Sequence, residues 1–454
     1  MQSPMKHSVS TARGLVVGLA IALAAAAGAC SGESALFARD GGGATGNGGT
    51  GIGGSGTGGT GEGGADNVDA APDVSSVDGG MDQSSDQAPD GSGSCSADTD
   101  CMTSQFCSAR VCVPRVGNLA GNGDLEFGTS AGWYGVFGGG GTLLVSDTTA
   151  AGYAHAGRYS AQAAFRTQLY HGPAYRLPSG LGKYTITGWA FQKDDASIGG
   201  SFQVVIICAT TTQYLPPSTA PLTQNVWTRF TATVDTSTYA TTPTGDCSSA
   251  GTMPGGVKLA RIVINQAADD GGTPVQFPDI FMDDVVVQVT DGHNLVGNSN
   301  FEGAFTDGWT GGGASVIISS TIAKSGTHSL SVTGRTTTTV GPSYAMPIGA
   351  AEYNVVFNAL HTGASMHGLV LQSTYTCLGA TTTVAVPITT VANLAGNTWT
   401  QLGGTVALPP PDAPAGCQLT DAAVSVRQAE TGTCGGGVEC PDLFVDDVTI
   451  TLKQ

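Results

Sequence analysis

The sequence predicts an all-β protein: two tandem jelly-roll β-sandwiches carried behind a disordered linker and a small disulfide knot. Three observations predict it. The chain of 454 residues holds 69 glycines and only 11 % charged residues, the balance of exported β-rich chains rather than helical cytosolic ones. Its apolar residues alternate in short runs separated by turns rich in Gly, Thr and Pro, and no apolar stripe of helical period extends over a helix length. Finally, residues 118–289 and 294–452 carry the same landmarks in the same order.

The first copy opens Asn118-Leu119, passes Leu125-Glu126 and reaches Gly132-Trp133. The second opens Asn294-Leu295, passes Phe301-Glu302 and reaches Gly308-Trp309. Then follow Arg166/Arg335, Gly172-Pro173/Gly341-Pro342, Tyr184/Tyr353, Cys208/Cys377, Trp227/Trp399 and Cys247/Cys417. Both copies close on Pro-Asp-x-Phe-x-Asp-Asp-Val, at Pro278–Val285 and Pro441–Val448. An offset of roughly 170 residues far exceeds the ~20–50 of solenoid repeats, so whole domains are duplicated, 115–292 and 293–454. The strongest strand signals are 184–191, 202–208, 257–265 and 280–289, matched by 353–360, 368–377, 422–427 and 443–452. Trp133/Trp309 and Trp227/Trp399 persist in both copies and are read as core.

Residues 1–29 read as a targeting segment. Lys6 and Arg13 precede an apolar run, Gly14–Gly28, too short to span a bilayer comfortably. The run ends Ala-Gly-Ala-Cys at Cys30, which resembles a bacterial lipoprotein lipobox. That resemblance implies cleavage before Cys30, lipidation of its thiol and amine, and, with Ser31 next, sorting to the outer membrane or cell surface. An ordinary cleaved signal peptide is the competing reading. Residues 30–94 then read as a Gly/Asp/Ser-rich tether, with ten acids between 31 and 94 against one base, Arg39. Such a composition cannot bury enough apolar surface to offset its ordering entropy. As flexible coil it spans about 45 Å.

Setting Cys30 aside leaves an even number of cysteines, as disulfide pairing in an oxidising compartment requires. Cys95, Cys101, Cys107 and Cys112 form a tight knot over 95–114, which looks like the small four-cysteine knots of lipoproteins in predatory and soil bacteria. Eighteen residues make no hydrophobic core, so bridges must hold it. Zinc is disfavoured there by the absence of His and of a C-x-x-C doublet. Cys208–Cys247 and Cys377–Cys417 are the expected bridges of the two copies, and Cys434–Cys440 closes a short loop. The net charge of −18 argues against a nucleic-acid partner.

The ordered set of Asn-Leu, Phe/Leu-Glu, Gly-Trp, a Gly-x-x-Ser turn (Gly157–Ser160, Gly326–Ser329) and a terminal Asp-Asp-Val resembles carbohydrate-binding modules of families 4, 9 and 22. Ser329–Thr336 followed by Gly341-Pro342 is most similar to the family 22, xylan-binding type. The resemblance implies a structural calcium ion held by Glu126 and Asp284 in the first copy and by Glu302 and Asp447 in the second. Hard oxygen ligands from the first and last strands suit that ion. A glycosidase acid/base pair and plain strand-end carboxylates are the other readings of the same residues.

A sugar presents apolar C–H faces and a rim of hydroxyls, so its site needs aromatic platforms and fixed polar groups. Alternation along 184–191 puts Thr185, Thr187, Trp189 and Phe191 on the face away from the core. By resemblance, Arg166 and Tyr170, four apart before Gly172-Pro173, line the groove with Trp189 and Phe191. The second copy keeps Arg335 but has Thr339 and Asn358 where the first has Tyr170 and Trp189, so weaker or different binding is expected there. Gly128–Gly132 fits G-x-S-x-G without the strand-then-helix context that chemistry needs. The expected function is thus a monomeric, lipid-anchored, non-catalytic protein binding β-linked polysaccharide, xylan or β-glucan. A structural or adhesion protein of the cell surface is one alternative. A glycoside hydrolase, or an accessory part of one, is the other.

Overall fold

A computed structural model describes residues 105–108, 111–114 and 118–453, apart from 148–152, 194–197, 209–211, 216–217, 240–256 and 267–276. The targeting segment 1–29, Cys30, the tether 30–94, Cys95, Cys101 and Cys247 lie outside the described residues. Of the knot, β1 (Gln105–Ser108) and β2 (Val111–Pro114) form an antiparallel hairpin with Cys107 opposite Cys112.

The first sandwich contains β3 (Trp133–Val136), β4 (Thr142–Asp147), β5 (Tyr159–Ala164), β6 (Pro173–Leu177), β7 (Lys183–Gln192), β8 (Ile198–Cys208), β9 (Thr212–Tyr214), β10 (Ser218–Leu222), β11 (Thr228–Asp235), β12 (Val257–Gln266) and β13 (Ile280–Val289). One sheet runs β10-β8-β12-β6-β3, with β9 added on β8; the other runs β11-β7-β13-β5-β4. The second sandwich contains β14 (Trp309–Thr310), β15 (Ser315–Ser319), β16 (Ser329–Thr333), β17 (Ser343–Ala345), β18 (Ala351–His361), β19 (His367–Cys377), β20 (Val384–Leu394), β21 (Thr400–Leu408), β22 (Leu419–Gln428) and β23 (Leu443–Leu452). Its sheets run β14-β17-β22-β19-β20 and β15-β16-β23-β18-β21. Strand for strand the order repeats the first, all antiparallel, so the duplication read from landmarks is a duplication of jelly-roll topology.

The alternation works as the pleat requires. On β7, Tyr184, Ile186 and Ala190 are buried between the sheets; on β18, Tyr353, Val355, Phe357 and Ala359 are. Trp133 and Trp309 are core residues, as expected, stacked edge-on or tilted against Tyr175 and Tyr344. Trp227 and Trp399 depart from expectation: both are half-buried, and Trp227 lies outside the core, against Phe191 and His155. Each stands just before an edge strand, β11 or β21, where the chain has not yet entered the space between the sheets. Cys377–Cys417 and Cys434–Cys440 are bridged, and Cys208 is disulfide-bonded.

One apolar core runs through both sandwiches. They meet through pseudo-symmetric backbone contacts. Gly180 N donates to Leu295 O (2.9 Å), and its counterpart Gly349 N donates to Leu119 O (3.1 Å). A Cβ on Gly180 would stand 1.9 Å from Asn294 O, and one on Gly349 2.0 Å from Asn118 O, so only glycine permits the approach. Ser179 Oγ, 3.0 Å from Tyr344 Oη, also accepts from Gly297 N (3.1 Å). Between the copies, His293 Nε2 lies 2.8 Å from Tyr184 Oη. The duplicate is thus packed as the two halves of an isologous dimer are packed. We expect Gly349→Ala to cost the ~1–3 kcal/mol of an overpacked contact and to split a single urea transition into two. Unchanged midpoint and cooperativity would mean the sandwiches are independent.

Candidate functional site

The outer face of the β10-β8-β12-β6-β3 sheet carries an apolar patch that the core does not use. Phe137, Ala174, Val205 and Val263 are buried there, with Tyr134 packed against them. Two exposed rings flank Phe137: Tyr170 and Tyr214 each lie 6.4 Å from it, edge-on. Polar groups stand beside the patch on the same strands. Asn265 Nδ2 donates to Gln203 Oε1 (2.9 Å), while the buried Asn265 Oδ1 accepts no hydrogen bond among the described residues. The Arg261 guanidinium lies 3.3 Å from the centre of the Tyr134 ring, a desolvated cation–π contact. Gly140 packs closely on His171: a Cβ there would stand 1.7 Å from the ring.

Arg166 shapes the loop that presents Tyr170, but it does so from underneath. Its side chain is buried and its donors are spent on carbonyls: Nε on His171 O, Nη2 on Leu169 O (3.0 Å) and Nη1 on Pro278 O (2.6 Å). Arg335 repeats the pattern with Val340 O (2.7 Å), Thr338 O (2.9 Å) and Pro441 O (2.8 Å). Burial draws both guanidinium groups down to about 10, so they stay charged at neutral pH. The expectation that Arg166 and Arg335 line the groove is therefore corrected: they brace its loops. Each spends at least three of its five N–H donors on the carbonyls of a tight loop, which need satisfying first.

Trp189 and Phe191 need a second correction. They do point away from the core, but from β7, which belongs to the opposite sheet. The outward faces of a sandwich's two sheets look in opposite directions, so these rings cannot share a groove with Tyr170. Trp189 stacks on His155 (3.8 Å, 17°), and Phe191 packs with Tyr153, Trp227 and Phe281. Asn358, at the place of Trp189, is buried and donates to Asp447 O (3.4 Å). Phe137, Tyr214, Gln203 and Asn265 were missed by the sequence reading. Gln203, Val205 and Ile207 alternate with the core residues of β8, and that alternation was the signal for Gln203; Tyr214, in a three-residue strand, gave none.

The carboxylates at the ends of each sandwich approach the same loop, 155–159 in the first and 325–328 in the second. Glu126 Oε1 accepts from the amides of Arg158 (2.7 Å) and Tyr159 (2.9 Å) in the Gly-x-x-Ser turn. Glu302 Oε1 accepts likewise from Thr327 and His328 (both 2.8 Å). A bulge in the closing strand turns the second Asp of each Asp-Asp pair out: Asp284 has φ 50° and Asp447 φ 46°, and the β13–β7 ladder slips after Asp283. Asp284 Oδ2 meets His155 Nδ1 (2.5 Å), and Asp447 Oδ1 accepts from Ser325 Oγ (2.6 Å). The first Asp of each pair is wholly buried, Asp283 on the amide of His155 (2.9 Å) and Asp446 on those of Lys324 (2.8 Å) and Ser325 (3.1 Å). Burial, reinforced by the Asp284 charge and opposed by its amide donors, pushes Asp283 up to about 8. Burial likewise raises Asp446. Asp124 is raised by burial and by the charges of Glu126 and Asp284. In the second copy burial pulls Glu302 up, but the donors of Thr327 and His328 outweigh it and hold it low. Asp124, Glu126 and Asp284 thus form a crowded anionic end in the first sandwich; the second has Asn300 at the place of Asp124.

Residues 293–420 match a family described as "Carbohydrate binding domain". Endo-1,4-beta-xylanase A of Thermoanaerobacterium saccharolyticum is 30 % identical over 256 residues, which cover 53 % of this chain and 19 % of that protein. The chain therefore spans about a fifth of the length of that curated relative. Among solved structures, the N-terminal tandem of two family 22 modules from Paenibacillus barcinonensis Xyn10C is 16 % identical, covering 73 % of this chain and 96 % of the other, with a TM-score of 0.32. The C-terminal family 22 carbohydrate-binding module of Clostridium thermocellum Xyn10B is 24 % identical, covering 34 % and 90 %, with a TM-score of 0.27. Over residues 293–420 this chain is similar to the carbohydrate-binding domain family, on a jelly-roll scaffold that its first half repeats strand for strand.

Proposed function

We propose that the protein is a non-catalytic polysaccharide-binding protein, and that the first sandwich holds β-linked glycan of the xylan or β-glucan type on the outer face of its β10-β8-β12-β6-β3 sheet. One observation carries this reading: two exposed tyrosine rings flank an apolar floor beside Gln203 and the unsatisfied Asn265 acceptor. Rings take the C–H faces of a sugar, and fixed amides take its hydroxyls. The family match of the second sandwich and the xylanase relative support the same ligand class. The relative also favours a second reading, in which such modules serve a xylan hydrolase. Lipidation of Cys30, anchorage of a monomer at the outer membrane or cell surface, and the acidic tether complete the proposal.

Calcium belongs to it as well. In the first sandwich the charges of Glu126 and Asp284 bear on Asp124, and a divalent cation would offset them, although among the described residues no three such side chains are grouped as a ready-made metal site. Glu126 and Asp284 would hold it there, Glu302 and Asp447 in the second copy. Its chemistry would be to tie the opening turn of each sandwich to the last strand.

On insoluble xylan, Tyr170→Ala should weaken retention about tenfold, the ~1.4 kcal/mol expected of a central aromatic contact. Trp189→Ala should bind as wild type does; the reverse pattern would move the site to the opposite sheet. Adding excess calcium to chelated protein should raise the melting temperature, by ~2.7 kcal/mol of stabilisation at a hundredfold excess over Kd. No shift would remove the metal. In the chelated protein the folded state keeps a proton on Asp283 that the unfolded chain releases near its ordinary 3.8. The contribution of Asp283 to stability should thus be full below about 3.8 and decline as pH rises toward about 8. Asp283→Asn should flatten that decline in urea titrations at successive pH values.

A further inference from the structure

The second sandwich has lost the aromatic platforms of the first, yet its outer face is not featureless. Alternation along β22 and β19 turns Ser425, Arg427, Val370 and Gln372 outward, opposite the core residues Val424, Val426, Leu369 and Leu371. The matching runs Ala260–Gln266 and Ala422–Gln428 put Arg427 where the first sandwich has Asn265, and Gln372 where it has Gln203. A neutral amide pair has become an amide and a guanidinium.

That guanidinium is held in a fixed orientation. Arg427 Nε donates to Gln372 Oε1 (2.5 Å) and Nη1 to Gln428 O (2.9 Å), while Gln372 Nε2 donates to Ser425 Oγ (3.3 Å). Nη2 has no hydrogen-bond partner, and no carboxylate pairs with Arg427 among the described residues. Two of the other three cations of this sandwich are engaged elsewhere, Arg335 by loop carbonyls and Lys453 by Glu352. Glu430, three residues on, accepts from Gly368 N. Arg427 is thus a half-buried, pre-oriented cation among neutral neighbours. Its complement is a planar carboxylate, which a guanidinium takes in a two-pronged bond. Thr310 and Thr339 stand where the first sandwich has Tyr134 and Tyr170, so a neutral pyranose finds no ring to stack on.

We propose that the outer face of the second sandwich binds carboxylate-bearing polysaccharide, a glycan with uronic-acid residues, through Arg427. This rests on the reading above that the outer sheet faces are glycan surfaces. The test is affinity electrophoresis of the full chain at low ionic strength through glucuronoxylan and through the same polymer with its carboxyls reduced to alcohols. Wild type should be retarded about tenfold more strongly by the acidic polymer. Arg427→Gln should lose that preference while keeping wild-type affinity for the reduced polymer and the wild-type melting temperature. Tyr170→Ala should weaken both and widen the preference. Arg427→Lys, which keeps the charge without the fork, should fall between wild type and Arg427→Gln. Free glucuronate should compete where acetate at equal concentration does not.

A wild-type chain that binds both polymers equally, or an Arg427→Gln chain that keeps the preference, overturns the proposal and leaves the first site standing. Equal competition by acetate overturns the sugar specificity. A wild-type chain that binds neither polymer overturns both readings.

Discussion

Each sandwich turns on one buried cation. Arg166 and Arg335 sit at the end of β5 and β16, where the chain must leave one sheet and cross to the other. Their guanidinium groups gather three carbonyls apiece, two from the crossing loop and one from the proline that opens the closing strand. Without them those carbonyls would be desolvated and unpaired, at ~1–3 kcal/mol each. The same bonds set the loop that displays Tyr170 and the entry of the strand that carries the Asp-Asp bulge. Surface site and carboxylate end are therefore positioned by one side chain, and a defect in it propagates to both.

The duplication has a second consequence. Gly180 and Gly349 each dock on the opening segment of the other copy, so the two sandwiches meet through direct backbone contacts. Linked binders gain by effective concentration only when geometry lets both sites engage. Here the faces have diverged in chemistry while the contacts between them kept their symmetry. The first face carries tyrosines and amides, and the second carries Arg427 with Gln372.

Much of this was legible in residue order. The strands at 280–289 and 443–452, the inward set on β7, the core positions of Trp133 and Trp309, and the bridge Cys377–Cys417 follow from period-two alternation and repeated landmarks, and the bridge Cys434–Cys440 from its short spacing in one loop. Alternation also showed correctly that Trp189 and Phe191 face away from the core. What alternation cannot say is which of two sheets a strand joins. That ambiguity placed Trp189 beside Tyr170 in expectation and on the far side of the molecule in fact. Arg166 misled for a related reason: a charged residue near a groove reads the same whether it faces ligand or backbone.

The sequence by itself determined the fold class, the duplication, the inward and outward faces of the strand at 184–191 and the replacement of Tyr170 and Trp189 by Thr339 and Asn358 in the second copy. These are local or repetitive properties, written in spacing and residue type. Only the tertiary structure decided that Phe137, Tyr170 and Tyr214 form one patch, that Arg166 and Arg335 serve the backbone, and that Arg427 stands among neutral neighbours. Those facts depend on which segments, far apart in the chain, are brought side by side. The hydrogen bonds that settle them reach across separations as long as 112 residues, from Arg166 to Pro278.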